Sequence, residues 1–456
     1  MGNLPRIALG TVQPLADSQA VAWALMEALS RQGQRVQHFL SRACFLPVDG
    51  ATAITGLGSR HLDSWLMSPD VCRELLVRSA ANSDLALVQG GYDCAGGQFK
   101  QSGDASEMGG RLDLLCDWLT LPRVAVIDVS QLSDCHLPAR PAGIEGLLLD
   151  GFTDDHDLCR LQTLFETLWG VPVFGGLCCL PQARSVIDEL PTGSLPPAEL
   201  LKFLGDHFER HTRTDRIRAL ASRRDWSDLP ELLFRPGAGV AQVRVAVAYD
   251  AAFHCYFPDT LDLLEMRGAT VVDFSPLKDE ALPLETDIVY LGCGHPERFA
   301  RELAGNHCMT MALRNHVCEG RRVYAEGGGL AYLCRQIALS DGTQLPMTGV
   351  LPAIARANDQ PWKPQPVEAT VVGDNWLAGS GTRLRGYLNQ NWILEPAGDL
   401  AAFFAERGQE LDLAGRHHAV GSRVHLNFAA LPEAFRSFLK PHAASLDLAS
   451  SRCSQR

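Results

Sequence analysis

A glycine-rich bend at residues 324–333 is the part of this sequence best suited to hold a reactive group, and it reads Tyr-Ala-Glu-Gly-Gly-Gly-Leu-Ala-Tyr-Leu. An apolar run precedes it and a helical pattern begins at Leu330, so we predict a strand, a tight turn and a helix. In α/β enzymes such a turn holds a nucleophile beside backbone N–H groups that stabilise an oxyanion. The centre of the turn here is Gly327, which has no side chain. An enzyme's scaffold is therefore predicted without a nucleophile at this place.

The fourteen cysteines do not form a metal-binding pattern. Apart from the adjacent pair Cys178 and Cys179 they are scattered singly, and the sequence contains no CxxC pair. Zinc and iron–sulfur sites are usually built on closely spaced cysteines. We interpret these residues as mostly small buried hydrophobic side chains and predict no metal site.

Length and charge limit the function classes. A chain of 456 residues is too long for one core, so two domains are expected. The net charge of −12 argues against binding to nucleic acid or to an acidic membrane surface. No apolar run approaches the ~20 residues of a membrane span, and the N-terminus lacks the pattern of a signal peptide. A cytoplasmic location is predicted.

The first part of the chain alternates strands with helical patterns, which predicts a doubly wound parallel sheet. Ligands on such sheets lie beyond the carboxyl ends of the strands, so the loops 10–18, 89–97 and 128–140 should line a site. The predicted strands are 5–10, 36–40, 85–89, 124–129, 146–149 and 171–174, with a helix at 18–31.

Prolines and a charged run change the composition after residue 176, and a second α/β pattern follows. Its predicted strands are 243–249, 270–274, 287–291 and 322–324, and its helices are 258–267 and 298–318. Further strands at 367–372, 386–395 and 422–428 precede a helix at 432–439. The predicted organisation is a domain at 1–190, a helical connector at 191–241, a domain at 242–442 and a disordered tail at 443–456.

Several segments of the second half carry a family resemblance. Residues 250–257 read Asp-Ala-Ala-Phe-His-Cys-Tyr-Phe, residues 292–297 read Gly-Cys-Gly-His-Pro-Glu and residues 424–428 read Val-His-Leu-Asn-Phe. Together with the bend at 324–333 they resemble motifs of the cobyrinate a,c-diamide synthase family. The resemblance covers nearly the whole chain and implies a P-loop-ATPase-like N-terminal domain and a class I glutamine amidotransferase-like C-terminal domain. Members amidate acetate side chains of tetrapyrroles and would use ATP and Mg²⁺.

The glutaminase centre implied by the resemblance lacks its nucleophile. The family carries Cys where this chain has Gly327, so no glutamyl thioester can form there. Loss of a nucleophile typically costs several orders of magnitude in rate. His425 stands at the position of the family's base, and Glu326 directly precedes the lost nucleophile.

The oxyanion loop of the family corresponds to Gly292, Cys293 and Gly294. Its backbone could still donate hydrogen bonds. Cys293 could substitute as a nucleophile, but its approach from the oxyanion side favours the interpretation as a small, semi-buried residue.

The implied ATP centre departs from a phosphate-binding loop, which needs glycines, a Lys and a Ser or Thr. Residues 10–19, beginning with Gly10 and Thr11, read Gly-Thr-Val-Gln-Pro-Leu-Ala-Asp-Ser-Gln. Asp17 stands at the Lys position, which replaces attraction for phosphate by repulsion worth several kcal/mol at ~4 Å. Ser18 stands at the metal position, where it could equally be a helix N-cap.

Other expected groups of the ATP centre are also altered. Gln89 replaces an acidic residue that would organise Mg²⁺, and Gly96 replaces a second one, which Asp93 could restore by a register shift. Asp128 matches the family and could contact a nucleotide base or cap the next helix. In a third region, residues 385–392 read Arg-Gly-Tyr-Leu-Asn-Gln-Asn-Trp, where the family has two His and one Glu. Asn427 likewise replaces a His.

Three functions remain open, and the chain is not assigned as an enzyme. The first is a degenerate family member that binds a tetrapyrrole or a partner in corrinoid or sirohaem metabolism. The second is an active ligase that amidates cobyrinate or sirohaem with ammonia or glutamine. The third is an interaction protein, either a homodimer or part of a hetero-oligomer with an intact paralogue.

Overall fold

The structure, a computed structural model, describes residues 4–13, 16–45, 48–92, 109–132, 137–224, 232–234, 243–358, 364–398, 400–402, 404–406, 409–410, 414–416 and 418–440. The chain divides into two compact units, Met1–Leu232 and Leu233–Arg456. The predicted tail at 443–456 and the residues Asp93 and Gly96 lie outside the described residues.

The first unit is built on a parallel sheet. Its strands are β1 (Arg6–Thr11), β2 (Val36–Leu40), β3 (Arg60–His61), β4 (Leu85–Gly91), β5 (Arg123–Asp128), β6 (Ile144–Phe152) and β7 (Val173–Cys178). The strand order is β3-β2-β4-β1-β5-β6-β7, with parallel pairing throughout. Strands β2 to β4 lie on one side of β1 and strands β5 to β7 on the other. In α/β sheets, ligands bind in the crevice where the strand order changes side in this way. The predicted doubly wound parallel sheet is confirmed.

Eight helices accompany this sheet within the described residues. They are α1 (Gln19–Arg31), α2 (Gly50–Thr55), α3 (Pro69–Ser79), α4 (Leu112–Leu119), α5 (Asp155–Trp169), α6 (Pro181–Asp188), α7 (Ala198–His211) and α8 (Thr214–Ala221).

The segment predicted as a connector at 191–241 supplies α7 and α8 to the first unit. The apolar side chains Leu201, Leu204 and Phe208 of α7 are buried, and Arg31 of α1 pairs with Asp206 of α7. The charged residues mark the solvated face of these helices, while their apolar stripe packs on the unit. The two compact units divide at residue 232, within the segment predicted as the connector.

The second unit contains a larger set of shorter strands. They are β8 (Arg244–Ala248), β9 (Phe253–Cys255), β10 (Thr270–Phe274), β11 (Ile288–Leu291), β12 (Cys293–Gly294), β13 (Arg322–Glu326), β14 (Cys334–Ala338), β15 (Gln344–Pro346), β16 (Leu351–Ala357), β17 (Gln365–Val371), β18 (Arg383–Leu388), β19 (Trp392–Pro396), β20 (Ala401–Ala402), β21 (Phe404–Glu406), β22 (Gln409–Glu410), β23 (Ala414–Arg416), β24 (Ala419–Ser422) and β25 (Val424–His425). Its α-helices are α9 (Pro258–Met266), α10 (Ala300–Gly305), α11 (His307–Cys318), α12 (Gly328–Leu333) and α13 (Pro432–Phe438).

The main sheet of the second unit has the order β10-β8-β11-β13-β24-β23-β20. Its first five strands are parallel, and β24-β23 and β23-β20 are antiparallel. The carboxyl ends of β11, β13 and β24 therefore meet at one edge. Smaller sheets pair β12 with β9, join β15-β14-β16-β19, and join β22-β21-β17-β18-β25.

Three predicted elements of the second unit are interrupted. The helix predicted at 298–318 breaks at Asn306, whose side chain accepts a hydrogen bond from the Met309 N–H at 3.1 Å and so caps α11. The same side chain donates to Pro276 O and Asp279 O, both at 2.9 Å, which holds the break in place. The strand predicted at 386–395 is divided between β18 and β19, and that at 422–428 ends in a 3-10 turn at Phe428–Ala430.

Metal-binding clusters, membrane-spanning helices and disulfides are absent from the part of the chain that the structure describes. Among the described residues, no group of three or more His, Cys, Asp and Glu side chains could hold a metal ion. No helix in the described part of the chain is long and apolar enough to cross a bilayer. The cysteines that the structure describes are free thiols.

Candidate functional site

The predicted strand, turn and helix at the glycine-rich bend are present as β13, Gly327 and α12. The helix begins at Gly328, earlier than predicted. Gly327 has φ 50° and ψ −108°, a positive-φ conformation that costs side-chain-bearing residues free energy. Its N–H donates to Ser422 O at 2.8 Å, which ties the turn to the end of β24. The sharp turn therefore persists at a position without a side chain.

Cys293 fills the space that a side chain at Gly327 would occupy. Cys293 follows β11 and pairs in β12 with Cys255 of β9, and the preceding Gly292 N–H donates to the Tyr256 hydroxyl at 2.9 Å. A Cβ built on Gly327 would overlap the Cys293 Sγ. The thiol therefore points at the centre of the turn, where the sequence interpretation placed only a small residue on the oxyanion side.

His425 links this thiol to a carboxylate. Its Nε2 lies 3.4 Å from Cys293 Sγ, and its Nδ1 lies 3.4 Å from Glu326 Oε2. The position of His425 is set by β25, which pairs with β18 opposite Tyr387. The residues Cys293, His425 and Glu326 thus form a thiol–imidazole–carboxylate chain, which we call the thiol cluster.

The carboxylate of the thiol cluster is held by two further donors. The Tyr324 hydroxyl donates to Glu326 Oε1 at 2.6 Å, and the Leu426 N–H donates to the same oxygen at 3.4 Å. Glu326 is 1% exposed, so these bonds replace the water it would otherwise bind. The fixed carboxylate in turn orients the imidazole.

Asn389 completes the surroundings of the thiol. Its Nδ2 lies 3.0 Å from His425 Nε2 and 3.7 Å from Cys293 Sγ. The family resemblance marks residues 385–392 as altered but gives Asn389 no role. The predicted strand at 386–395 ran through Asn389, so nothing in the sequence indicated that its side chain lies beside Cys293 and His425.

The thiol cluster favours a charged imidazole. Burial by itself would lower the pKa of His425, but the neighbouring Cys293 thiolate and the Glu326 carboxylate outweigh it and raise that pKa to about 10. An imidazolium beside a sulfur stabilises the thiolate, which is the nucleophilic form of cysteine. This arrangement can support nucleophilic attack by sulfur and proton transfer by the ring.

In the first unit, the Asp17 carboxylate lies at the start of α1, and a helix start is a place where anions bind. Asp17 Oδ1 accepts a hydrogen bond from the Gln19 N–H at 2.8 Å, at the first residue of α1. The free N–H groups at a helix start are those that bind phosphate in nucleotide-binding loops. Ser18 makes no side-chain cap to this helix, so its predicted capping role belongs to Asp17.

The two predicted Mg²⁺ positions, Ser18 and Gln89, are brought together by the structure. Gln89 Nε2 donates to Ser18 Oγ at 3.0 Å, and Gln89 Oε1 lies 2.9 Å from His38 Nε2. Burial lowers the pKa of His38, which therefore favours its neutral form. An amide N–H group faces the serine where a metal site would need a carboxylate oxygen.

Carboxylates gather at the same edge of the first sheet. Asp150 at β6 is buried beside Arg184, and burial raises its pKa to about 6 against that cation, with Asp128 and Asp17 adding to the rise. Asp128 accepts a hydrogen bond from the Ser130 N–H at 3.0 Å, which is the capping alternative of its two predicted roles.

The start of the phosphate loop is closed by neighbouring side chains. A Cβ built on Gly10 would lie 2.6 Å from the Tyr92 ring, and Thr11 pairs with Gly91 of β4. The Gln13 side chain exchanges two hydrogen bonds of 2.8 Å with the backbone of Asp128, which pins the loop to β5.

Comparisons with known proteins agree with the two-unit organisation. Residues 244–429 match the CobB/CobQ-like glutamine amidotransferase domain. The cobyrinate a,c-diamide synthase of Dehalococcoides mccartyi strain CBDB1 is 29% identical over 475 residues, covering 96% of this chain and 98% of that protein. The same enzyme of Syntrophotalea carbinolica is 29% identical over 467 residues, with 96% and 98% coverage. The chain is similar to cobyrinate a,c-diamide synthases over nearly its whole length.

Solved glutamine amidotransferases also align with this chain at low sequence identity. A crystal structure of a glutamine amidotransferase aligns with 16% identity and a TM-score of 0.33, covering 44% of this chain and 97% of that one. This chain places a thiol on the loop after β11 and a glycine at the turn after β13. His425, Glu326, Gly327, Gly292, Cys293 and Gly294 adjoin one another in the second unit.

Proposed function

We propose that this chain acts in tetrapyrrole metabolism without performing ATP-driven amide formation. Its relatives are named cobyrinate a,c-diamide synthases and align over nearly their full length, 98% for two of them. These names support a corrinoid as the ligand, and a sirohaem-type tetrapyrrole is the alternative ligand of the proposal. The proposed role is to bind that tetrapyrrole, or a partner such as an intact paralogue.

The observation that carries the proposal is the Asp17 carboxylate on the Gln19 N–H at the start of α1. A triphosphate at this helix start would have to displace an internal anion. It would also meet the repulsion of Asp17, Asp128 and Asp150, whose charges already act on one another. At ~4 Å and an effective dielectric of about 20, each like-charge pair costs roughly 4 kcal/mol.

A second candidate function is an active ligase that amidates cobyrinate or sirohaem with ammonia or glutamine. The thiol cluster in the second unit favours it, because a working source of ammonia is part of such a reaction. It requires nucleotide binding in the first unit, so one measurement separates the two candidates.

That measurement is calorimetric titration of Mg-ATP into the full chain, beside Asp17→Lys and the control Asp70→Lys. Asp70 lies on the first turn of α3 and is exposed, so its substitution changes the net charge equally away from the site. We expect no heat from the natural protein and from Asp70→Lys. Micromolar binding by the natural protein would overturn the proposal in favour of the ligase.

Tetrapyrrole binding is tested separately by absorbance titration of cobyrinate and sirohaem into the same protein. Saturable spectral shifts support the proposed role. If neither macrocycle changes its absorbance spectrum on titration, the tetrapyrrole part of the proposal is wrong.

A further inference from the structure

The thiol cluster has a composition that structural packing alone does not require. Cys293, His425 and Glu326 are 5%, 3% and 1% exposed, and they lie in the order thiol, imidazole, carboxylate. Buried ionisable groups are costly unless they are paired. Three of them in a chain at the edge of a parallel sheet is the arrangement of an activated nucleophile.

The turn and the thiol are sterically complementary. Gly327 has a positive φ, which is a backbone conformation that glycine adopts readily and that other residues adopt only at a cost in free energy. Because a Cβ at Gly327 would overlap Cys293 Sγ, a side chain at Gly327 requires the Cys293 thiol to move from its observed position. The sulfur therefore enters the reactive position from the opposite loop.

We propose that Cys293 is the nucleophile of a thiol-dependent site that cleaves small primary carboxamides, with His425 as its proton-transfer group and Glu326 as the positioning residue. This goes beyond the function proposed above, since it concerns the second unit alone and needs no nucleotide.

The reaction balances with water as the only co-reactant. The Cys293 thiolate attacks the carbonyl carbon, the C–S bond forms, and the C–N bond breaks as His425 Nε2 gives its proton to the departing nitrogen. Water then attacks the thioester while His425 takes one of its protons, and the C–S bond breaks. A carboxamide and water thus become a carboxylate and ammonium, and the thiolate is regenerated.

Asn389 fits this scheme as a polar neighbour of the reacting sulfur. Its Nδ2 lies within reach of both Sγ and His425 Nε2, at 3.7 and 3.0 Å. An amide N–H at this place can stabilise negative charge on the thiolate or on an adjacent oxyanion. Small substrates are expected because the cluster is almost fully buried.

The first experiment labels the full-length protein with a diazoketone analogue of glutamine and locates the adduct by peptide mass spectrometry. We expect one adduct, on Cys293, that is absent from Cys293→Ser. The matched control is Cys308→Ser, because Cys308 is an exposed cysteine outside the site. An adduct spread over exposed cysteines, or none at all, would contradict the proposal.

The second experiment measures ammonia release from L-glutamine by the natural protein and by folded Cys293→Ser, His425→Gln and Cys308→Ser. We expect a loss of at least about a hundredfold in the first two variants and no change in the third. The swap Cys293→Gly with Gly327→Cys should regain activity over Cys293→Ser. Equal rates in the natural protein and Cys293→Ser, including equal absence of turnover, would overturn the assignment.

Discussion

At the scale of single residues, the Cys293 thiol of the second unit lies where a side chain at Gly327 would lie. Gly327 follows β13 and Cys293 follows β11. A side chain at Gly327 would enter the space that Cys293 Sγ occupies. Neither residue is informative alone, because a glycine in a turn and a lone buried cysteine are both common. Their contact is what gives the pair a chemical meaning.

Gly327→Ala should destabilise the protein by about 2–6 kcal/mol, since the positive φ and overpacking against Cys293 each cost about 1–3 kcal/mol. Urea unfolding measures it. Gly305→Ala is the control, because its Cβ would meet nothing within 4 Å. Adding Cys293→Gly should recover part of the loss, and a Gly327→Ala variant as stable as the control would refute the steric argument.

The raised pKa of His425 makes the stability depend on pH. Its folded value of about 10 exceeds the ordinary 6.5, so its contribution is fully present below about pH 6.5 and is lost as pH rises towards 10. The groups that face the ring are Cys293, Glu326 and Asn389, with Tyr324 behind Glu326.

The free energy of unfolding should therefore fall between pH 7 and pH 10 more steeply in the natural protein than in Cys293→Ser, which lacks the neighbour that raises the pKa of His425 most. Guanidinium unfolding at several pH values measures both slopes. Parallel curves would show that Cys293 does not raise the pKa of His425.

At the scale of elements, α7 decides where the first unit ends. Phe208 is fully buried on this helix, while Phe203 is 44% exposed on its other side. In a separate connector both phenylalanine side chains would be exposed to solvent. A helix that packs on the first unit buries only Phe208.

Phe208→Ala should cost about 3–5 kcal/mol, and the control Phe203→Ala should stay within about 0.5 kcal/mol. Thermal and urea unfolding of both variants measure the difference. Equal, small effects would restore the prediction of a separate connector.

Buried parallel strands that are continuous apolar runs were predictable, as for β11, which reads Ile-Val-Tyr-Leu and is buried along its length. The bounds of β2 and β10 are also those predicted. Other features depend on tertiary contacts that no local pattern contains. The break at Asn306 requires the carbonyls of a distant loop, and the two-residue β12 requires its partner β9. For the candidate site, the residues were predictable from the resemblance, but the distance between Cys293 and His425 was not.

At the scale of the whole molecule, the net charge of −12 offers a competing explanation for weak nucleotide binding. A general negative field would repel ATP wherever it approached, without any role for Asp17. Salt separates the two explanations, because ions screen charges farther apart than about 8 Å at physiological strength, whereas the exposed Asp17 carboxylate would meet a phosphate at contact distance, within that screening length.

We expect Mg-ATP to leave the thermal unfolding of the natural protein unchanged both at low salt and at about 0.5 M salt, where the Debye length falls below about 5 Å. Asp17→Lys should raise the melting temperature with nucleotide, since binding at a hundredfold excess over Kd adds about 2.7 kcal/mol. Asp70→Lys should not, although it changes the net charge equally. If salt alone or Asp70→Lys produced the shift, the global field would be responsible. If only Asp17→Lys does, the local carboxylate at the start of α1 excludes the nucleotide.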